Sequence, residues 1–180
     1  MYGPPVDLSF KGLQRMKDAL TEEPNPGVRK LKQDTDKKFC SGALRLNNNN
    51  LIDLVGFMPT ISIFLSDPYQ LAWVDLSFNC LSHIETALTE LQQLRVLYLH
   101  GNRICKFSEV EKLGVLPFLR TLTLHGNSIE NRRGYRGYVI SALPHLKTLD
   151  FSTVTKQERT MSQIWRKSKI PNKKNQSNPR

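Results

Sequence analysis

His100 and His125 each open a His-Gly-Asn triplet, and the triplets stand 25 residues apart. Where such triplets end neighbouring β-strands, the two imidazoles lie about 5 Å apart. A pair at that distance can hold a metal, or hydrogen-bond each other or a partner. Zinc, however, takes at least three protein ligands. No Cys and no carboxylate shares the phase of the two histidines, and Cys80 and Cys105 fall outside the strands. Cys40 completes an odd count without a spaced motif, and the opening Met-Tyr-Gly-Pro-Pro has neither a basic nor an apolar signal region. Reduced thiols in a cytoplasmic compartment are the expectation. A Gly-rich phosphate loop, a nucleophile elbow and a spaced His/carboxylate motif are all missing. The chain is therefore expected to be no enzyme, to bind no metal or cofactor and to take no small-molecule substrate.

Trp73 and Tyr98 suggest recognition instead, because Trp and Tyr on a rigid surface dominate protein–protein binding energy. What positions them is a repeat. Residues 41–51, 71–81, 94–104 and 119–129 align without gaps to Leu-x-x-Leu-x-Leu-x-x-Asn-x-Leu, with Ser41 at the first position and Ile104 and Ile129 at the last. Leu146-Lys-Thr-Leu-Asp-Phe151 keeps the first half of a fifth copy. Asn49, Asn79, Asn102 and Asn127 are in phase, at intervals of 30, 23 and 25 residues. Of 25 leucines, 21 lie between Leu44 and Leu149, so the repeat takes up nearly all of them. This is a leucine-rich repeat.

Period-2 alternation at Leu97-Tyr98-Leu99 marks a strand with leucines inward. Strands this short are stable only when stacked on one shared core. The expected fold is α/β: a leucine-rich-repeat solenoid, a short horseshoe of about five parallel strands on the concave face. Its convex returns are helical or irregular, and helical caps cover both ends. Each Asn turns inward to bond backbone groups of its own turn and of the next repeat. The concave columns then give the candidate partner-binding residues Arg45, Trp73, Asp75, Ser77, Tyr98, His100, Thr123 and His125.

The returns and ends carry weaker signals. Phe57 to Leu65 is a long apolar return, and Ser108-x-x-Glu111 predicts a capping box for a short helix that Gly114 closes. Tyr135, Val139 and Leu143 predict a helix packed on the last repeats. Phe10, Leu13, Met16 and Leu20 predict an amphipathic helix behind a Ser9 cap, which either caps the first repeat or docks on another protein. Thr155-x-x-Glu158 predicts a last helix with Met161, Ile164 and Trp165 on one side. That side either closes the solenoid or, through Trp165, anchors a partner. The predicted organisation is residues 1–39 as helix and linker, 40–151 as repeats with their cap, and 152–180 as helix and basic tail, with residues 171–180 disordered.

The net charge of +10 is concentrated: residues 151–180 carry +7, whereas 40–150 carry +1. The concave face is not basic, which argues against direct binding of nucleic acid. The basic C-terminal segment, with Arg166, Lys167, Lys169, Lys173 and Lys174, is a second candidate surface, for acidic protein. No apolar run reaches the roughly 18–20 residues of a membrane span, and Leu54 to Leu65 is broken by Pro59.

Beyond the generic repeat, several strings resemble the family of leucine-rich repeat-containing protein 51. They are Trp73-Val-Asp-Leu-Ser-Phe-Asn79, Val96-Leu-Tyr-Leu-His-Gly-Asn102, Leu122-Thr-Leu-His-Gly-Asn127 and Gly134-Tyr-Arg-Gly-Tyr-Val139, together with Pro4-Pro-Val-Asp-Leu-Ser-Phe10 and Val154-Thr-Lys-Gln-Glu-Arg159. The cap over Gly134 to Asp150 is also similar to that of a wider cytoplasmic group. That group includes a phosphatase regulatory subunit, an axonemal dynein light chain and a spliceosomal companion protein. The resemblance implies a non-catalytic, cytoplasmic protein-binding module whose partners are axonemal or other cytoskeletal subunits of a cilium. A phosphatase-type regulator or a ribonucleoprotein companion is the alternative it leaves open.

Overall fold

The computed structural model describes residues 3–168. One sheet of seven strands runs the length of the molecule in sequence order. The strands are β1 (Val6–Asp7), β2 (Ala43–Arg45), β3 (Trp73–Asp75), β4 (Val96–Tyr98), β5 (Thr121–Thr123), β6 (Thr148–Leu149) and β7 (Ser152–Thr153). Strands β1 to β6 are parallel, and β7 returns antiparallel on β6. Their registers put Val6, Leu44, Val74, Leu97, Leu122 and Leu149 in one row, and all six are fully buried. Each such side chain contributes about 1.5–3 kcal/mol of burial as an upper bound.

The convex returns differ in content. Helix α1 (Phe57–Phe64) fills the long apolar return between β2 and β3, α2 (Phe107–Glu111) opens the one between β4 and β5, and 3-10 turns fill those after β1 and β3. The Ser108/Glu111 capping box does not form. Helix α2 starts two residues early, with Lys106 at its N-cap and no side-chain cap bond. Glu109 holds the segment instead: its buried carboxylate accepts the Ile84 N–H (2.9 Å) and the Lys112 ammonium (2.7 Å). Helix α3 (Tyr135–Ala142) buries Tyr135, Val139 and Ile140, and α4 (Lys156–Ser168) packs across it.

The four asparagines join the repeats backwards rather than forwards. Asn102 Oδ1 accepts the Leu81 N–H at 3.0 Å, while its Nδ2 donates to the carbonyls of Leu76 and of Leu99, each at 3.0 Å. Asn79 makes the same set with Leu51, Leu46 and Leu76, and Asn127 with Ile104, Leu99 and Leu124. Asn49 reaches the N-terminal segment, accepting from the N–H groups of Lys11 and Leu13 and donating to the Leu8 carbonyl.

That last contact exposes an unforeseen copy of the repeat. Residues 9–20 form no amphipathic α-helix. Val6-Asp7-Leu8-Ser9-Phe10 duplicates Val74-Asp75-Leu76-Ser77-Phe78, and β1 is its strand. Asp7 bonds the Ser9 N–H and hydroxyl at 2.9 and 2.6 Å, as Asp75 bonds those of Ser77 at 3.0 and 2.6 Å. Met16–Thr21 is a 3-10 turn with Met16 and Ala19 buried. Of the two N-terminal possibilities the structure has the first, since Val6, Leu8 and Leu13 sit in the common core and Phe10 and Leu20 point outward. Residues 25–39 are no loose linker: the Asn25 N–H donates to the Asp7 carbonyl, and Phe39 bridges to Leu65.

At the other end the fifth copy stops after β6. Asp150 and Phe151 both have positive φ and form the tight turn into β7, as two-residue hairpin loops require. Asp150 Oδ1 accepts the N–H groups of Leu124 (2.7 Å) and His125 (2.9 Å), whereas in the preceding copy the Leu99 N–H, counterpart of Leu124, goes to a strand carbonyl of the next copy, Thr123. Its Oδ2 accepts the Tyr135 hydroxyl at 2.7 Å, and burial together with this carboxylate pushes the phenol far above its ordinary pKa. The Thr155/Glu158 capping box forms as expected: Glu158 accepts the Thr155 N–H, and the Thr155 hydroxyl accepts that of Glu158. The side of α4 differs from expectation. Ser162 is buried, Met161 and Ile164 are 60% and 57% exposed, and Trp165 packs edge-on to Tyr138. Arg159 explains the rotation, because it donates to the Ile140, Leu143 and Leu146 carbonyls at the end of α3 and sets which face of α4 turns inward.

Replacing Asn102 with Ala strands the Leu81 N–H in the core and takes one donor from the Leu76 and Leu99 carbonyls, which Asn79 and Asn127 still serve. It should lower stability by about 2–3 kcal/mol and the thermal midpoint by roughly 4–12 °C; a melting curve identical to the parent's would contradict the ladder.

Candidate functional site

The sheet registers bring Trp73, Tyr98, His100 and His125 onto one surface. In register, Trp73 pairs with Val96, Asp75 with Tyr98, and Tyr98 in turn with Thr123. Tyr98 stands edge-on to Trp73 at 5.8 Å between ring centroids. His100 and His125 stack face to face at 4.6 Å with planes 8° apart, close to the spacing expected from neighbouring strands.

Two further rings complete the cluster. Phe78 meets His100 edge-on at 5.1 Å. Phe151 lies 5.5 Å from Tyr98, 5.7 Å from His100 and 5.6 Å from His125. Phe78 is 53% and Phe151 61% exposed, so the rings that tie the cluster together also face solvent. Edge-to-face pairs at these distances are each worth about 0.5–1.5 kcal/mol beyond burial, so the surface is both apolar and rigid.

Phe78 occupies a strained position. The residue before each repeat's Asn, or before Lys11 in the first copy, has positive φ: Phe10 at 59°, Asn48 at 55°, Phe78 at 52°, Gly101 at 68° and Gly126 at 69°. Glycine takes this conformation at no steric cost, whereas a bulky residue there costs about 1–3 kcal/mol. Gly101 also makes room for its neighbour, since a Cβ there would lie 2.6 Å from the Phe78 ring. Reading only the three strand columns overlooked Phe78 and Phe151. The visible signals were the repeated Asp-Leu-Ser-Phe string and a Phe directly after the last strand.

Other anticipated residues do not face outward. Asp75, Ser77 and Thr123 are buried: Asp75 is engaged by Ser77, and the Thr123 hydroxyl lies 2.7 Å from His100 Nδ1 and also accepts the Leu99 N–H. Alternation fixes the direction of a side chain, but the large rings beside these short ones cover them. Arg45 turns aside to Asp7, with Nη1 3.0 Å from Oδ2.

In the basic C-terminal segment, Arg166 donates to the Ser141 carbonyl at 2.7 Å and Lys167 lies within α4, whereas Lys169, Lys173 and Lys174 lie outside the described residues. Among the described residues no group of three or more His, Cys, Asp or Glu is placed to hold a metal, and no helix is long and apolar enough to cross a membrane.

A leucine-rich repeat family model matches residues 43–176. The chain is 49% identical over 171 residues to leucine-rich repeat-containing protein 51 of Rattus norvegicus, covering 95% of this chain and 89% of that one. It is 48% identical to the Homo sapiens protein of that name over the same shares. A crystal structure of the Drosophila melanogaster SNF/U2A' complex contains a chain with the same fold, at TM-score 0.64 and 23% identity, covering 92% of this chain and 82% of that one.

Burial and the neighbouring His125 both hold the His100 imidazole below its ordinary pKa of 6.5. Because the folded value is the lower one, neutral His100 favours the folded arrangement. That contribution is present above pH 6.5 and is lost as the pH falls through the folded value. An NMR titration should place the His100 midpoint below 6.5 and move it upward in His125→Gln; a midpoint unmoved by that substitution would show the stack has no influence.

Proposed function

The chain belongs to the leucine-rich repeat family that includes leucine-rich repeat-containing protein 51, and on that footing we propose that its concave aromatic cluster is the binding surface for a protein partner. The observation that carries this reading is the mutually braced set of half-buried Trp73, Tyr98, His100 and His125 with exposed Phe78 and Phe151. Monomeric surfaces rarely gather large rings in the open, and rigid aromatic anchors lose little conformational entropy on binding. The strained φ of Phe78 supports the reading, because a bulky residue stands there where two neighbouring copies use glycine.

The module is read as non-catalytic. It acts as a structural or adaptor subunit of a large cytoskeletal assembly, such as the axoneme of a cilium. The cellular setting rests on the likeness to leucine-rich repeat-containing protein 51; the partner-binding role rests on the rings. A partner chain laid along the concave face meets Trp73 and Tyr98 near the centre of the sheet and Phe151 toward its C-terminal end.

Proximity labelling in ciliated cells should recover a discrete set of proteins with the parent chain and lose most of them with Trp73→Ala/Tyr98→Ala. The protein should also stay with axonemes after detergent removes the membrane. A double variant that folds normally yet keeps every partner would overturn the site, and quantitative release by detergent would overturn the axonemal setting.

A further inference from the structure

Opposite in character to the aromatic cluster is a cleft of about 810 Å³ beside the C-terminal cap, bounded by the residues leading into β5 and β6 and by the first turns of α4. Arg120, His145, Lys147, Lys156 and Arg159 line it, and no carboxylate does. The repeat builds part of this row. Arg95, Arg120 and Lys147 occupy the same position of successive copies, directly after the leucine that precedes each strand. Backbone bonds fix them in line: the Arg120 N–H donates to the Arg95 carbonyl at 2.9 Å, and the Lys147 N–H to the Arg120 carbonyl at 2.7 Å. A near-neutral repeat region thus conceals a one-sided basic edge.

The nearest acid in sequence, Glu158, is already engaged. It takes Arg136 Nε at 2.6 Å and the Thr155 N–H at 2.8 Å, and those bonds, Arg136 first, push its carboxyl down to about 2. Lys147 and Lys156 are exposed, and their positive charges face a cleft in which no lining residue offsets them.

We propose that this cleft is a second binding site, for an acidic stretch of a partner protein that presents several Asp or Glu side chains. Three features select that ligand. First, the guanidiniums are partly or wholly spent on backbone carbonyls: Arg159 on Ile140, Leu143 and Leu146, and Arg120 Nη1 on Pro117 and Leu119. Both Nη groups of Arg159 are therefore committed and Arg120 keeps only its Nε/Nη2 edge, so the open charges are mainly lysine ammoniums. Secondly, no Phe, Tyr or Trp lines the cleft, so the stacking platforms that single-stranded nucleic acid uses are missing. Thirdly, a cleft of this size admits a few residues of an extended chain but no duplex. The site lies apart from the concave rings, so one partner can engage both surfaces or two partners can bind together.

The test is binding of fluorescein-labelled decaglutamate to the full chain, read by anisotropy. Affinity should fall steeply between about 50 and 200 mM salt. Lys147→Glu/Lys156→Glu should weaken binding at least about tenfold, Lys147→Gln/Lys156→Gln should weaken it less, and Lys147→Arg/Lys156→Arg should retain it. Trp73→Ala/Tyr98→Ala should leave it unchanged. Any of three results overturns the proposal: charge reversal or neutralisation in a normally melting protein that leaves affinity intact; deletion of residues 169–180 that alone abolishes binding; or oligothymidylate or phosphatidylserine vesicles held more tightly than decaglutamate through the same two lysines.

Discussion

Each parallel strand in this molecule leaves backbone donors that only the next copy can satisfy, and each turn leaves groups that only an asparagine reaching back can satisfy. The Leu99 N–H donates to the Thr123 carbonyl of the following repeat, while Asn127 answers Ile104 and Leu99 of the preceding one. Bonding therefore runs in both directions along the solenoid. A buried group left without a partner costs about 1–3 kcal/mol, so no copy is stable by itself and the two ends need substitutes. At the N-terminus β1 uses Asn49 and carries Lys11 where an asparagine would have no earlier copy to reach. At the C-terminus one carboxylate, Asp150, takes the Leu124 N–H that a strand carbonyl of the next copy takes elsewhere.

The same constraint sets the proposed recognition surface. To swing inward, each ladder asparagine follows a residue with positive φ, and that residue's side chain is thrown outward. In two copies the position is glycine, which adds nothing to the surface; in β3's copy it is Phe78, which adds a ring. Gly101 then leaves the space that ring fills. The hairpin at Asp150-Phe151 repeats the device by another route: Asp150 caps the sheet, and the turn it shares with Phe151 projects that ring over Tyr98, His100 and His125. Structural closure and the display of an aromatic ring thus come from adjacent residues.

What could be read from the sequence follows from how local each signal is. Leucine phase and asparagine phase are periodic and repeated, so the strands β2 to β6, their parallel order and the stacked histidines were legible. The first strand was hidden because Lys11 breaks the asparagine signature, while Phe10, Leu13, Met16 and Leu20 imitate helical spacing. Exposure was less legible than direction. Asp75 and Thr123 point to the concave side as alternation requires, yet larger neighbours bury them. The face of α4 was misjudged for a related reason: hydrophobicity favoured Met161 and Ile164, whereas three carbonyls at the end of α3 drew in Arg159.

Charge shows most clearly why a sum over residues is a poor guide to a surface. Residues 40–150 carry a net charge of +1, and by that figure the solenoid should be electrostatically bland. A repeat, however, places each phase of its sequence on its own line in space, so the charges of one phase add along an edge regardless of the total. Arg95, Arg120 and Lys147 share a phase and form such a line. Phase is preserved by every insertion that falls in a convex return, as the longer return that carries α1 does without disturbing the β2–β3 register. A solenoid can therefore vary its outer loops while keeping one edge basic and its concave face aromatic, and two chemically distinct surfaces on one short sheet follow from the geometry of the repeat.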